Sequence, residues 1–131
     1  MSEIPAKKRS WAGIVISAVP TLFLLMDAVG KLIKPEAVVI ATVELGYPES
    51  VILPLGIVLL ICTVLYAIPK TSVLGAILLT GYLGGAIATH VRIGSPLFTH
   101  TLFPIYLGIM IWLGLYLRDV RIREFIPLKN D

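Results

Sequence analysis

Four long apolar runs divide the chain: Trp11 to Val29, Val51 to Ile68, Val73 to Val91 and Leu97 to Leu117. The hydrocarbon core of a bilayer takes about 20 apolar residues as helix, with a working range of roughly 17–25, and each run falls within it. Backbone amides left unpaired in lipid are too costly to tolerate, so a spanning segment must be helical or part of a closed barrel. These runs are continuously apolar and do not alternate as barrel strands do, so the spacing predicts four helices. The expected fold class is an all-α membrane protein, a four-transmembrane-helix bundle in one domain over residues 1–131.

Composition agrees and removes other classes. The hydrophobic set makes up 57% of the 131 residues, charged residues 15%, and mean hydropathy is +0.94, whereas soluble domains carry about 25% charge. A net charge of +3 does not suggest nucleic acid, because the basic residues flank apolar runs and form no stripe of their own. The single cysteine, Cys62, lies inside the second run. No intramolecular disulfide, CxxC pair or cysteine-rich metal site can therefore form, which excludes a relay through paired cysteines. Lys7, Lys8 and Arg9 before the first run resemble a signal peptide, but the run is longer than an h-region of about 7–15 residues, and a retained anchor is expected.

Topology follows from the basic residues. Lys7, Lys8 and Arg9, then Lys70 in the Ile68–Ser72 turn, then Arg118, Arg121, Arg123 and Lys129 lie on one side, leaving Lys31, Lys34 and Arg92 of the 11 on the other. The positive-inside rule predicts both termini in the cytoplasm of a cell with this protein in its inner membrane. Pro69 should end the second helix and Ser72 should cap the third. On the outer side, Pro35 to Leu45 is bounded by Gly46 and Pro48 and is too short to span, so a short interfacial helix or lid is expected there.

Gly81, Gly84 and Gly85 of the third span form a small surface on which helices can approach closely. They are assigned to helix packing, within the chain or in a homodimer, and the third helix is expected at the bundle's centre. Pro20 should bend the first helix, shaping packing or opening a cavity.

Asp27 is the one acidic residue within a predicted span. Two readings follow: an i, i+4 pair with Lys31 at the interface, or an inward carboxylate meeting a basic group on the third helix. His90 and Arg92 end that helix at the same level, His100 begins the fourth run, and Glu44 and Tyr47 lie in the outer loop. Asp27, Lys31, Glu44, Tyr47, His90, Arg92 and His100 thus form a candidate outer pocket for a polar headgroup. No catalytic triad, nucleophile elbow or helical metal spacing is present, so no metal is expected, and His90 with His100 at the water boundary makes a poor haem ligand pair. Tyr66, Tyr82, Tyr106, Trp112 and Tyr116 read as interface belt and core.

Several short patterns run in register with these features. They include Gly30-Lys31-Leu32 with Pro35, Leu45-Gly46-Tyr47-Pro48, Ile68-Pro69-Lys70-Thr71, Gly75-Ala76, and Gly84-Gly85-Ala86-Ile87-Ala88-Thr89-His90-Val91-Arg92. Trp112-Leu113-Gly114-Leu115 and Arg118-Asp119 complete them. Together they resemble the DoxX-like family of small membrane proteins from about Gly13 to Arg123, most specifically along Gly84 to Arg92. The resemblance implies a four-helix membrane fold. The family's name comes from a membrane component of a thiosulfate:quinone oxidoreductase, other members are linked to redox-stress complexes, and distant relatives act as membrane chaperones for receptors. Lys31, His90 and Arg92 match family motif positions, to which the resemblance attaches no catalytic role.

The functional expectation is a bilayer protein that holds a quinone or other small lipophilic molecule in the outer pocket, as subunit or accessory of a soluble or membrane oxidoreductase. The alternative is a non-catalytic scaffold or assembly factor using the glycine face and the basic tail. Nothing in the chain carries electrons by itself.

Overall fold

The computed structural model describes residues 11–125, and every element among them is helical. Helix α1 covers Trp11–Ile33, α2 Glu36–Glu44, α3 Ile52–Ala67, α4 Ser72–Ile93, α5 Phe103–Arg118 and α6 Val120–Phe125. A 3-10 turn, Glu49–Val51, leads into α3, and a π-turn, Leu97–Thr101, leads into α5. With these turns, the four segments long and apolar enough to cross a membrane are Trp11–Ile33, Glu49–Ala67, Pro69–Ile93 and Leu97–Arg118. Lys7, Lys8, Arg9 and Lys129, which carry much of the topology argument, lie outside the described residues.

The outer surface of the bundle is apolar. Leu22, Met26, Ile61, Ile77 and Ile109 are all exposed, an arrangement that water would penalise and lipid tails accept. Inside, Leu24, Leu59, Leu79, Leu83, Ile111 and Leu115 form the core. Cys62 is buried among them.

The spanning helices form a ring. Helix α1 packs on α3 and α5, α3 packs on α4, and α4 packs on α5. The centre is therefore not α4, as the glycine pattern predicted; α1 makes the most extensive contacts. Close packing depends on other glycines. A Cβ on Gly114 would meet Ser17 of α1, and one on Gly75 would meet the backbone of Tyr66. One on Gly56 would stand 2.8 Å from Lys31 Cβ, and one on Gly13 2.9 Å from Leu117 Cβ. A Cβ on Gly81, Gly84 or Gly85 would meet nothing within 4 Å, so these residues pack no helix of the described chain. The i, i+4 spacing signals closeness in lipid but not which glycine uses it.

At the hairpin end, Pro69–Thr71 turns the chain from α3 into α4. Ser72 does not act as the N-cap; its hydroxyl donates to the carbonyls of Tyr66 at 2.8 Å and Ile68 at 2.9 Å, closing the hairpin. Below it lies a buried polar cluster. The Tyr66 hydroxyl donates to the Ile111 carbonyl at 2.7 Å and lies 3.1 Å from Ser17 Oγ. Arg118 donates to Ser17 Oγ at 2.9 Å and to the Tyr66 carbonyl at 3.1 Å, with its guanidinium 4.7 Å from the Tyr66 ring centroid. Three spanning helices are thus joined by hydrogen bonds at a depth where unpaired polar groups would be costly.

Helix α1 continues unbroken through Pro20, which is buried, and extends about a turn past the predicted end at Val29. The extension places Lys31 on the helix instead of in a loop. The chain leaves α1 through Lys34, whose φ of 58° is left-handed, into Pro35 and α2.

Candidate functional site

At the end of the bundle that carries α2, the helices enclose a cavity of about 410 Å³. That lies within the roughly 300–1,000 Å³ of small-molecule pockets. Its wall is mainly apolar, with Phe23 and Leu24 from α1, Leu55 from α3, and Phe103, Pro104 and Leu107 from α5. Helix α4 contributes Gly81, Tyr82, Leu83, Gly85, Ala86, Thr89 and His90. Since α1 and α4 face each other across the ring without packing, the small residues of α4 leave space there.

Asp27 and Lys31 both line the cavity and form an ion pair at 2.5 Å, with side chains 36% and 14% exposed. The i, i+4 reading and the inward reading of Asp27 describe one arrangement: the carboxylate faces inward, and its partner is Lys31, not a basic group of α4. Lys31 is the better buried of the two. An ammonium presents three N–H donors and the carboxylate engages one in this pair, so two donors remain for a third group.

The segment after α2 covers the site. Thr42 and Leu45 line the cavity, and Tyr47 reaches across to α4, its hydroxyl 2.6 Å from Thr89 Oγ1. Arg92 is exposed and does not line the cavity. Its guanidinium donates to the Leu45 carbonyl at 3.0 Å and lies against Gly46, which has φ of 98° and where a Cβ would stand 2.8 Å from the Arg92 nitrogen. Glycine is needed there both for its backbone angle and for the approach of the arginine. Arg92 thus ties the α2 segment to the end of α4 from outside. Glu44 is exposed at the C-terminal end of α2 and lines nothing.

His90 lines the cavity from the last turn of α4. That turn ends in a left-handed Gly94, φ 72°, with the Gly94 amide donating to Val91 and the Ser95 amide to His90. The turn places Ser95 Oγ 2.9 Å from His90 Nδ1, leaving Nε2 without a protein partner among the described residues. His100 lies on the exposed π-turn, outside the cavity, with its ring edge-on to that of His90 at 5.8 Å between centroids.

Of the seven residues predicted for the pocket, Asp27, Lys31, Tyr47 and His90 line one cavity, Arg92 and His100 brace its rim, and Glu44 is apart. Tyr82 was missed. It reads as a membrane-belt tyrosine, yet it is half-buried in the cavity wall with no hydrogen-bond partner for its phenol among the described residues. Thr89, part of the Gly84 to Arg92 pattern, carries no site role in the sequence reading. Tyr82, Ala86 and Thr89 recur at helical spacing on one face of α4, the signal that would have found them.

The sequence pattern of the DoxX-like family matches residues 15–114. The chain belongs to the DoxX-like family. The match runs from Val15 in α1 to Gly114 in α5 and covers every residue that lines the cavity. Neither a curated protein nor a solved structure matches the chain.

Proposed function

We propose that this DoxX-like protein binds a small membrane-resident molecule by its polar head, with a quinone as the leading class, and serves as a subunit or accessory of a membrane oxidoreductase system. One observation carries the reading. An apolar cavity at the α2 end holds hydrogen-bond donors not fully used by the protein: the Lys31 ammonium, the Tyr82 phenol and the imidazole of His90. A quinone ring offers two carbonyl acceptors and an apolar body, so these donors meet its oxygens while Phe23, Leu83 and Phe103 enclose the ring. Asp27 holds Lys31 in place. The chain supplies no redox centre of its own; electrons pass between the bound quinone and the partner's redox centre.

In this reading the cavity faces outward and both termini lie in the cytoplasm of an inner membrane, supported by the basic residues of the hairpin and the end of α5. The experiment is extraction of lipids from protein purified in a mild detergent, followed by mass spectrometry. Quinone enriched over the bulk membrane, and lost in Tyr82→Phe/His90→Ala, is the expected result. Quinone at the bulk ratio in both proteins would remove the proposal.

A further inference from the structure

Gly81 and Gly85 line the cavity, are exposed, and share a face of α4 with Leu74 and Leu78, which are exposed on the outside of the bundle. One edge of the cavity wall is therefore open along α4. The tight contacts between α3 and α4 are at the hairpin, where Gly75 meets the backbone of Leu65 and Tyr66 and Ser72 bonds the Tyr66 carbonyl. Toward the α2 end, α3 turns its close contacts to α1 instead, with Gly56 against Ala28 and Lys31. At that level Gly81 and Gly85 have no atom of α3 within 4 Å of where a side chain would begin, and Leu55 is the single α3 residue in the cavity wall.

The depth of this gap matters. At 1.5 Å rise per residue, Gly81 lies roughly 13 Å along α4 from His90. Asp27, Lys31, Tyr47, Thr89 and His90 are therefore at the α2 end, with Tyr82 the one hydroxyl group of the wall that starts beside Gly81, while the open edge lies deeper, toward the bilayer middle. The other side of α4 is closed, because Trp112 of α5 donates to Thr80 at 2.7 Å and Leu83 lies 3.9 Å from a Cβ on Gly108.

From this we infer that the gap between α3 and α4 is a lateral portal to the lipid. The ligand is a tailed amphiphile that enters from the bilayer and keeps its apolar tail across Gly81 and Gly85 while its head occupies the cavity. This deepens the proposed function and rests on it. Glycine suits the edge because any larger residue would project a side chain into the tail's path.

The test measures binding of a decyl-tailed benzoquinone and of the same ring without a tail to the protein in nanodiscs. Gly85→Phe fills the portal from α4. It should weaken the tailed quinone about tenfold more than the tail-less one, roughly the burial of two methylenes. Leu55→Trp narrows the same gap from α3 and serves if the glycine variant does not fold. Gly84→Leu, on the neighbouring face that does not line the cavity, should change neither affinity. Equal weakening of both quinones, or no effect on the tailed one in folded variants, overturns the portal while leaving the cavity's role intact. Failure of the wild-type protein to bind either quinone removes the binding reading and the portal with it.

Discussion

The Tyr47 hydroxyl lies 2.6 Å from Thr89 Oγ1, and Thr89 directs its own hydrogen to the Gly85 carbonyl at 2.8 Å, so Tyr47 is the donor across the mouth of the cavity. This bond and the one from Arg92 to the Leu45 carbonyl hold the α2 segment to α4 from inside and outside the site. Helix α2 has little else to fix it: no side-chain cap at its N-terminus and Thr42 as its one buried residue.

Tyr47→Phe should therefore loosen the cover without unfolding the bundle. A single hydrogen bond of this kind contributes about 1 kcal/mol. Amide exchange across residues 36–44 should rise about fivefold, with exchange in α3 unchanged. Equal protection of α2 in both proteins would show that the bond does not hold the cover.

Glycine substitutions along α4 should separate packing from space. Gly75→Ala places a Cβ on the Tyr66 backbone, an overpacking expected to cost about 1–3 kcal/mol or more. Gly81→Ala meets nothing and removes a poor helix former, so it should be neutral or stabilising by up to about 1 kcal/mol. Thermal unfolding in detergent gives the order; a larger loss at Gly81 would contradict the assignment of these two positions.

The polar cluster at the hairpin end should be a main support of the fold. Arg118→Ala removes charged hydrogen bonds to Ser17 and to the Tyr66 carbonyl, worth about 1.5–3 kcal/mol each. Arg118→Lys should recover only part of the loss, since an ammonium cannot reproduce the guanidinium's paired donors or its stacking on Tyr66. Full recovery by lysine in the same unfolding assay would mean that charge alone matters.

How far the sequence reaches is clear from these residues. Run length alone placed the four spanning helices, because bilayer thickness acts on every residue of a span, and Pro35, Gly46 and Pro48 bounded the short α2. Asp27, Lys31, Tyr47 and His90 were legible as a group because charge is rare at that level and topology put them at one end. Arg118 read as a topology signal and Tyr66 as belt or core, because their contact joins positions far apart in the chain and nothing local marks it. For Gly81 and Gly85 the expectation of packing within the chain fails for a similar reason: small residues permit a close approach or an empty space, and only the path of α3 decides which.

Acidity should loosen the end of the chain at α6. Asp119 accepts hydrogen bonds from the Arg121 side chain, at 2.7 Å to Oδ2, and from the Arg121 backbone amide at 2.9 Å. The side-chain bond comes first among the causes that hold its carboxyl below the ordinary value. The folded carboxyl therefore binds protons more weakly than the unfolded one. Its contribution is complete above the unfolded value and lost as pH falls through the folded one. Amide exchange of residues 120–125 should rise over that acidic window, and Asp119→Asn should flatten the profile. The same profile in both proteins would contradict this.

In the proposed function, Lys31, Tyr82 and His90 present donors to a ligand head inside the cavity. Titration of a short-tailed benzoquinone into nanodisc-embedded protein tests it most directly, comparing wild type with Tyr82→Phe/His90→Ala. Saturable one-site binding to the wild type is expected, with a loss of about tenfold or more in the double variant, the equivalent of two net hydrogen bonds. Binding of equal strength to both proteins, or partitioning with no saturation in the wild type, would contradict it.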